Sequence, residues 1–123
     1  MSARLVGFAQ DKLKAEAVTD GTALRVHIEG TASQRDVTPL EELFAAIREA
    51  CAVGGVTEVA LDLRAVEYMN SSHFKTLVGW LGSMAKLPSR VPVRLLANEK
   101  HHWQKRSLHA LPGLADGLVT IEE

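Results

Sequence analysis

The chain has 123 residues, of which 46% are hydrophobic and 24% charged, a composition typical of one globular domain with a single core. Its net charge of −1 lacks the basic excess needed to wrap nucleic acid or lie on an anionic membrane, so we expect neither partner. Cys51 is the only cysteine, which excludes an intramolecular disulfide. The amino terminus lacks the apolar run of an export signal, so we expect a cytoplasmic protein without a membrane anchor.

The first third of the chain predicts a β-hairpin. Apolar and polar residues alternate over Lys12–Val18 and again over Ala23–Gly30, a pattern typical of half-buried strands. Asp20-Gly21 lies between them and favours a tight turn, because glycine tolerates positive φ. Residues 1–10 are expected to form either an additional strand or an arm.

A helix is predicted to follow the hairpin. Thr38 can cap it, with Pro39 in the first turn and Glu41 completing a capping box, and Gly54-Gly55 ends it. Apolar residues recur on one face at spacings of three and four: Leu40, Leu43, Phe44, Ile47 and Cys51. Cys51 is therefore interpreted as a small buried hydrophobe and not as a reactive thiol.

The remaining chain alternates between strand and helix patterns. Val56–Leu63 is an apolar run typical of a central strand that is buried on both faces. A second amphipathic helix follows, ends before Pro88 and carries the stripe Phe74, Leu77, Val78, Leu81 and Met84. After it we predict a strand over Val91–Ala97, a helix from about Glu99 to Leu111 and an edge strand over Leu118–Ile121. This order predicts an α/β fold: a mixed β-sheet with parallel inner strands, covered by about three helices.

The segment Val59–Phe74 carries the functional signal. It contains Leu61-Asp62-Leu63, then Val66, then Tyr68-Met69, and finally Asn70-Ser71-Ser72-His73-Phe74 at the start of the second helix. This succession resembles the central motif of STAS domains, the sulfate-transporter and anti-sigma-factor-antagonist family. The order of elements is also similar, from about Leu24 to Ile121. Two positions depart from the family pattern, since Asn70 replaces an aspartate and His73 replaces a glycine.

The resemblance implies a single STAS-like domain over residues 1–123 that acts as a signalling module. It implies no enzymatic activity and no cofactor, and a protein kinase or anti-sigma-type regulator as the partner. Ser72 is the implied phosphorylation site, with Ser71 as the second choice. The implied partner-binding residues are Asn70, Ser71, Ser72, His73 and Lys75.

The chemistry of a helix start supports phosphorylation of the serine pair independently of the family resemblance. Ser71 and Ser72 precede the helical stripe, so they should lie at the N-cap or in the first turn, where free amides and the helix dipole favour an anion. Both serines would also be explained if they only cap the helix. Two other functions stay open: a scaffolding module that is never phosphorylated, and a small-ligand sensor with a pocket near the same helix start.

Metal and catalytic sites have little support in the sequence. His101, His102 and His109 lack a completing cysteine or carboxylate at a known ligand spacing, so we expect no metal site. There is no glycine-rich phosphate loop or nucleophile elbow, and consecutive residues on a helix diverge, so Ser72 and His73 are not a nucleophile and its base. Trp80 and Trp103 are expected to be partly buried aromatic residues.

Overall fold

The computed structural model describes residues 2–114 and 117–123. Its strands are β1 (Ser2–Gln10), β2 (Leu13–Asp20), β3 (Ala23–Ala32), β4 (Glu58–Met69), β5 (Val93–Leu96) and β6 (Val119–Glu122). Its helices are α1 (Thr38–Val53), α2 (Ser71–Ala85) and α3 (His102–Ser107), and a 3₁₀ helix follows over Leu108–Leu114.

The six strands form one mixed sheet in the order β1-β2-β3-β4-β5-β6. β1, β2 and β3 pair antiparallel, whereas β3, β4, β5 and β6 run parallel to one another. The parallel connections pass through helices, as parallel strands require. The predicted α/β class is confirmed. In the segment left open as a strand or an arm, Ser2–Gln10 forms the strand β1, and residue 1 lies outside the described residues.

The predicted hairpin forms, with its turn displaced by one residue. Asp20 pairs with Ala23, so the two-residue turn consists of Gly21 and Thr22, and Gly21 has a φ of 65°. A second glycine is required at the other end of β3. Gly30 has a φ of 106°, and a Cβ there would collide with the carbonyl oxygen of Lys12.

α1 buries the stripe that its sequence predicts: Leu40, Leu43, Phe44, Ile47 and Cys51. The predicted capping box is wrong. Val37 is the N-cap residue and provides no side-chain hydrogen bond, while Thr38 is the first helical residue. The Thr38 amide instead donates to Oδ1 of Asp36 at 3.0 Å. The side chain that accepts an amide at this helix start is therefore Asp36, two residues before Thr38. The helix ends at Gly54, which has a φ of 102°.

β4 is longer than predicted, and one of its faces is buried only in part. It continues to Met69 with register shifts against β3, whereas the predicted strand ends at Leu63. Leu61 and Leu63 are fully buried in the core, whereas Asp62 between them is only half-buried. The expected burial on both faces is met at Ala60, which is 7% exposed, but not at Asp62 and Arg64 on the same face, which remain accessible to solvent.

α2 packs against α1 through aromatic stacking. Leu77, Leu81 and Met84 are buried as predicted, whereas Phe74 and Val78 are only half-buried. The buried face also includes His73 and Trp80. The Trp80 ring stacks on Phe44 with centroids 4.5 Å apart and planes 7° from parallel. Trp80 is thus more deeply buried than expected.

The predicted helix over Glu99–Leu111 is instead a short α-helix continued by a 3₁₀ helix. α3 lies where pairing of β4 with β5 has ended, since the last paired residues are Asp62 and Leu96. The buried Gln104 donates through Nε2 to the carbonyls of Leu63 at 2.6 Å and Val66 at 3.0 Å. Side chains of α3 therefore satisfy β4 carbonyls that lack a strand partner.

Trp103, the residue before Gln104, also donates a hydrogen bond to a β4 carbonyl. Trp103 is half-buried, as expected, and its indole N–H donates to the carbonyl of Val66 at 2.8 Å.

Within the described ranges, none of the helices has both the length and the apolar character needed to cross a membrane.

Candidate functional site

The candidate site is the amino-terminal end of α2, where β4 passes directly into the helix. Asn70 is the N-cap residue, with extended backbone angles of −72° and 169°. Its side-chain oxygen accepts the backbone amide of His73 at 2.9 Å, and its carbonyl accepts the amide of Phe74 at 3.0 Å. Asn70 therefore satisfies two amides of the first turn, and Ser71 is not the cap.

Asn70 also ties the helix to the loop between β3 and α1. Its side-chain amide donates to the carbonyl of Gln34 at 3.0 Å, and its backbone amide donates to the carbonyl of Ala32 at 2.9 Å. An ionised aspartate lacks a donor and so cannot make the bond to Gln34. The asparagine that departs from the STAS pattern thus has a specific structural role.

His73, the second departure, lies in the interior. The residue is only 2% exposed, and its Nδ1 lies 2.8 Å from Oδ1 of Asn70. Since that oxygen already accepts a backbone amide, the network assigns the proton to Nδ1. Burial lowers the pKa of His73 below its usual value, and the nearby Asp36 carboxylate opposes this shift. The resemblance implied that His73 contacts a partner. Its burial is at odds with that expectation, because the imidazole ring has almost no surface that a partner could reach.

Ser71 and Ser72 occupy the first two helical positions, and both residues are exposed. In the part of the chain that the structure describes, neither hydroxyl makes a hydrogen bond. The first turn contains no acidic side chain. Lys75 is exposed three residues after Ser72, so it lies on the same side of the helix. The helix start therefore presents two free hydroxyls beside one lysine.

Sequence reasoning missed the surroundings of this helix start. Tyr68, two residues before the cap, is 49% exposed. Arg35 and Asp36 are exposed in the loop that Asn70 contacts through Gln34. No simple alternation signals Tyr68, since two exposed residues, Glu67 and Tyr68, lie between the buried Val66 and Met69. The loop residues gave no signal, because their proximity depends on the register between β3 and β4.

Two cavities bear on the ligand-sensor alternative. A groove of about 460 Å³ lies between α1 and α2 and includes Lys75 and Thr76 in its lining. A larger trough, of about 710 Å³, lies on the open face of the sheet. The larger space is thus on the sheet face and not at the helix start.

His109 approaches two glutamates that sequence spacing did not associate with it. Ligand atoms of Glu99, His109 and Glu123 lie within 4.8 Å of one another, and all three residues are exposed. A hydrogen bond with the Glu99 side chain raises the pKa of Glu123. The other two histidines considered for a metal site, His101 and His102, are not in this group.

Neither the comparison with family models nor the comparison with curated proteins gives a match. Solved structures do match. An anti-sigma factor antagonist from Mycobacterium paratuberculosis aligns with a TM-score of 0.65 at 18% identity, covering 85% of this chain and 84% of that one.

Two structures of SpoIIAA also match. The phosphorylated form of this Bacillus cell fate determinant aligns with a TM-score of 0.51 at 17% identity, covering 85% of this chain and 86% of that one. The unphosphorylated form of this anti-sigma factor antagonist gives a TM-score of 0.52 at 16% identity and covers 85% and 83%. The chain therefore has a STAS-like fold, the fold of these anti-sigma factor antagonists.

Proposed function

We propose that this chain is a non-enzymatic interaction domain of a bacterial, cytoplasmic partner-switching pathway, and that phosphorylation of Ser72 controls its partner. The partner is a protein kinase or an anti-sigma-type regulator. The observation that carries the proposal is the free, exposed hydroxyl of Ser72 in the first turn of a helix that Asn70 caps. The STAS-like fold supports it, since one solved structure of that fold is the phosphorylated form of SpoIIAA.

The geometry favours a switch by charge. Phosphorylation adds about −1.5 to −2 charges and three acceptor oxygens. The helix dipole stabilises negative charge at this end, no acidic side chain in the first turn repels it, and Lys75 lies three residues away. Because the cap and the core contacts do not involve the Ser72 hydroxyl, the modification changes the surface without refolding the domain.

The proposed partner surface consists of Ser71, Ser72 and Lys75 together with the exposed Tyr68. Asn70 and His73 act beneath it as positioning residues, since the first is half-buried and the second is buried. A partner docked on this surface would meet the new phosphate directly, so phosphorylation would weaken or alter the complex.

Phosphorylation is tested by incubating the purified chain with extract of its native cells and MgATP, followed by intact-mass analysis and site mapping. We expect one phosphoryl group on the unmodified sequence and on Ser71→Ala, and none on Ser72→Ala. Absence of phosphate under all growth conditions, or its persistence in Ser72→Ala, would contradict the proposal.

The switch itself is tested by partner capture with Ser72→Glu. Ser89→Glu is the matched control, because Ser89 is also exposed but follows α2. We expect Ser72→Glu to change the amount of captured kinase or anti-sigma-type protein at least tenfold, and Ser89→Glu to leave it unchanged. Equal capture by both variants favours the scaffolding alternative.

A further inference from the structure

The open face of the sheet carries a row of arginines that alternate with short side chains. Arg4 pairs with Val18, Val18 with Arg25, Arg25 with Ala60, and Ala60 with Arg94. Directly paired residues point to the same face, so these five side chains stand in one line across β1 to β5. Because neighbouring strands lie about 4.8 Å apart, successive arginines start roughly 10 Å from each other.

The short residues of this row form the floor of the trough of about 710 Å³. This volume lies within the range of small-molecule sites, which is roughly 300–1,000 Å³. Val18, Ala60 and Leu96 give the floor an apolar character, and five Arg or Lys residues and three carboxylates line the trough. The composition is that of a site for an organic anion.

The arginines of the row are only weakly neutralised by the protein. Arg25 pairs with Asp20 at 3.2 Å, but their side chains are 70% and 45% exposed. Arg94 lies 3.6 Å from Glu122 and 3.8 Å from Glu58, beyond hydrogen-bonding distance. Exposed pairs of this kind contribute little, so solvent or a ligand can displace them.

Arg4 is the least neutralised of the three. Its guanidinium lies across Gly7, where a Cβ would meet it, so the glycine leaves room for the arginine on this face. Among the described residues Arg4 has no ion pair. It is therefore free to bind an anion from the β1 side of the trough.

We propose that this trough binds a small organic molecule carrying at least two phosphate or carboxylate groups. One anionic group lies over Val18 between Arg4 and Arg25, and a second lies over Ala60 between Arg25 and Arg94. The planar guanidinium fork matches both kinds of oxyanion, and the part of the ligand between the two groups passes over the aliphatic stem of Arg25, which stands between Val18 and Ala60.

The neighbouring row of the sheet confines the ligand to the arginines. Glu16 pairs with His27, and His27 pairs with Asp62, so this row places two carboxylates beside the arginine row. Asp62 is held by Arg64 at 2.9 Å and lies 3.4 Å from Nδ1 of His27. An anion that moved off the arginine row would approach the carboxylates of Glu16 and Asp62, which repel it. The neighbouring Arg64 guanidinium is already paired with Asp62.

The site is independent of the proposed switch. The trough lies against the amino-terminal half of β4, whereas α2 follows the carboxyl end of that strand. The two proposals therefore fail or succeed separately.

Isothermal titration at low salt tests the proposal with hexane-1,6-diol bisphosphate as the phosphate probe and octanedioate as the carboxylate probe, because the two anionic groups of each can lie about two strand spacings apart. We expect at least one of them to bind with a Kd below about 1 mM. Arg25→Ala and Arg94→Ala should each weaken that binding about tenfold or more, since each removes charge-assisted hydrogen bonds. Arg106→Ala is the matched control and should bind normally, because this exposed arginine lies on α3.

Ala60→Leu is a second test that leaves every charge in place. The larger side chain fills the floor between Arg25 and Arg94 and should reduce binding at least fivefold, while circular dichroism reports whether the variant folds. The two probes identify which oxyanion the site prefers. Failure of both probes, equal losses in Arg25→Ala and Arg106→Ala, or binding of a single-stranded oligonucleotide in place of both probes would overturn the proposal.

Discussion

The two faces of the sheet differ sharply although the same strands build both. Along β4, Leu61 and Leu63 are 0% exposed on the inner face, whereas the side chains of Asp62 and Arg64 on the outer face are 19% and 58% exposed. Helices cover the inner side, and the outer side remains a charged trough. Alternate residues of a single strand therefore separate two tasks, since one set stabilises the fold and the other is free to recognise ligands.

The outer face of β4 also carries an ion pair between Asp62 and Arg64. Burial raises the pKa of Asp62, but hydrogen bonds and the positive charge of Arg64 outweigh it and hold the pKa below its usual value. The pair is well formed, with distances of 2.9 and 3.0 Å between guanidinium and carboxylate atoms. Its exposure nevertheless limits what it contributes to stability.

The largest expected effect comes from the inner face. Leu61→Ala should lower the free energy of unfolding by about 2–5 kcal/mol, because it removes buried contacts and leaves a cavity. Arg64→Ala, three residues along the same strand, should lower it by about 1 kcal/mol or less. Urea denaturation of both variants checks the comparison. Losses of similar size would show that the outer face is as important for stability as the core.

A smaller effect is expected at the α2 cap, which follows the carboxyl end of β4. Asn70→Ala should cost about 0.5–2 kcal/mol, because the first-turn amide of His73 loses its acceptor. Asn70→Asp keeps that acceptor but loses the donor to Gln34, so its stability should lie between those of the alanine variant and the native chain. Denaturation curves give the order, and an aspartate variant as stable as the native chain would contradict the role assigned to the Gln34 bond.

The smallest effect is a pH dependence from His73. Burial lowers its pKa in the folded chain, so as the pH falls through about 6.5 the unfolded chain binds the proton first. The native chain should keep its stability above that pH and lose it as the pH falls toward the folded pKa. His73→Gln should remove this part of the dependence, whereas His27→Gln, at an exposed position, should retain it.

Thermal denaturation between pH 7.5 and 5.5 measures this difference. The gap between the native chain and His73→Gln should narrow toward low pH. Parallel curves for the two proteins would show that the imidazole is not held neutral by the fold.

Local pattern predicted much of the fold. The stripe of α1 was predicted residue by residue, because a helix places every third or fourth side chain on one face regardless of its surroundings. The capping box failed since Thr38 is already helical and Asp36 supplies the oxygen. The length of α3 was also mispredicted. Its position depends on Gln104 binding carbonyls of β4, which lie about forty positions earlier in the chain.

The candidate site was predicted in part. The motif predicted that Ser71 and Ser72 lie at a helix start. In the structure they are the first two residues of α2, and both are exposed. The motif did not predict that His73 turns inward, because the direction of a first-turn side chain is decided by what packs beside it. Nor did it show that Asn70 holds the neighbouring loop, since that bond joins residues 36 positions apart.

The sequence by itself determined the alternation of strands and helices, the apolar face of each, and the motif at the start of α2. These depend on neighbours a few residues apart, whose geometry is set by the local backbone. Only the tertiary structure decided that one sheet face stays open, that Arg4, Arg25 and Arg94 align across it, and that His73 is buried. Those features follow from strand register and packing, which join distant segments that no local pattern specifies.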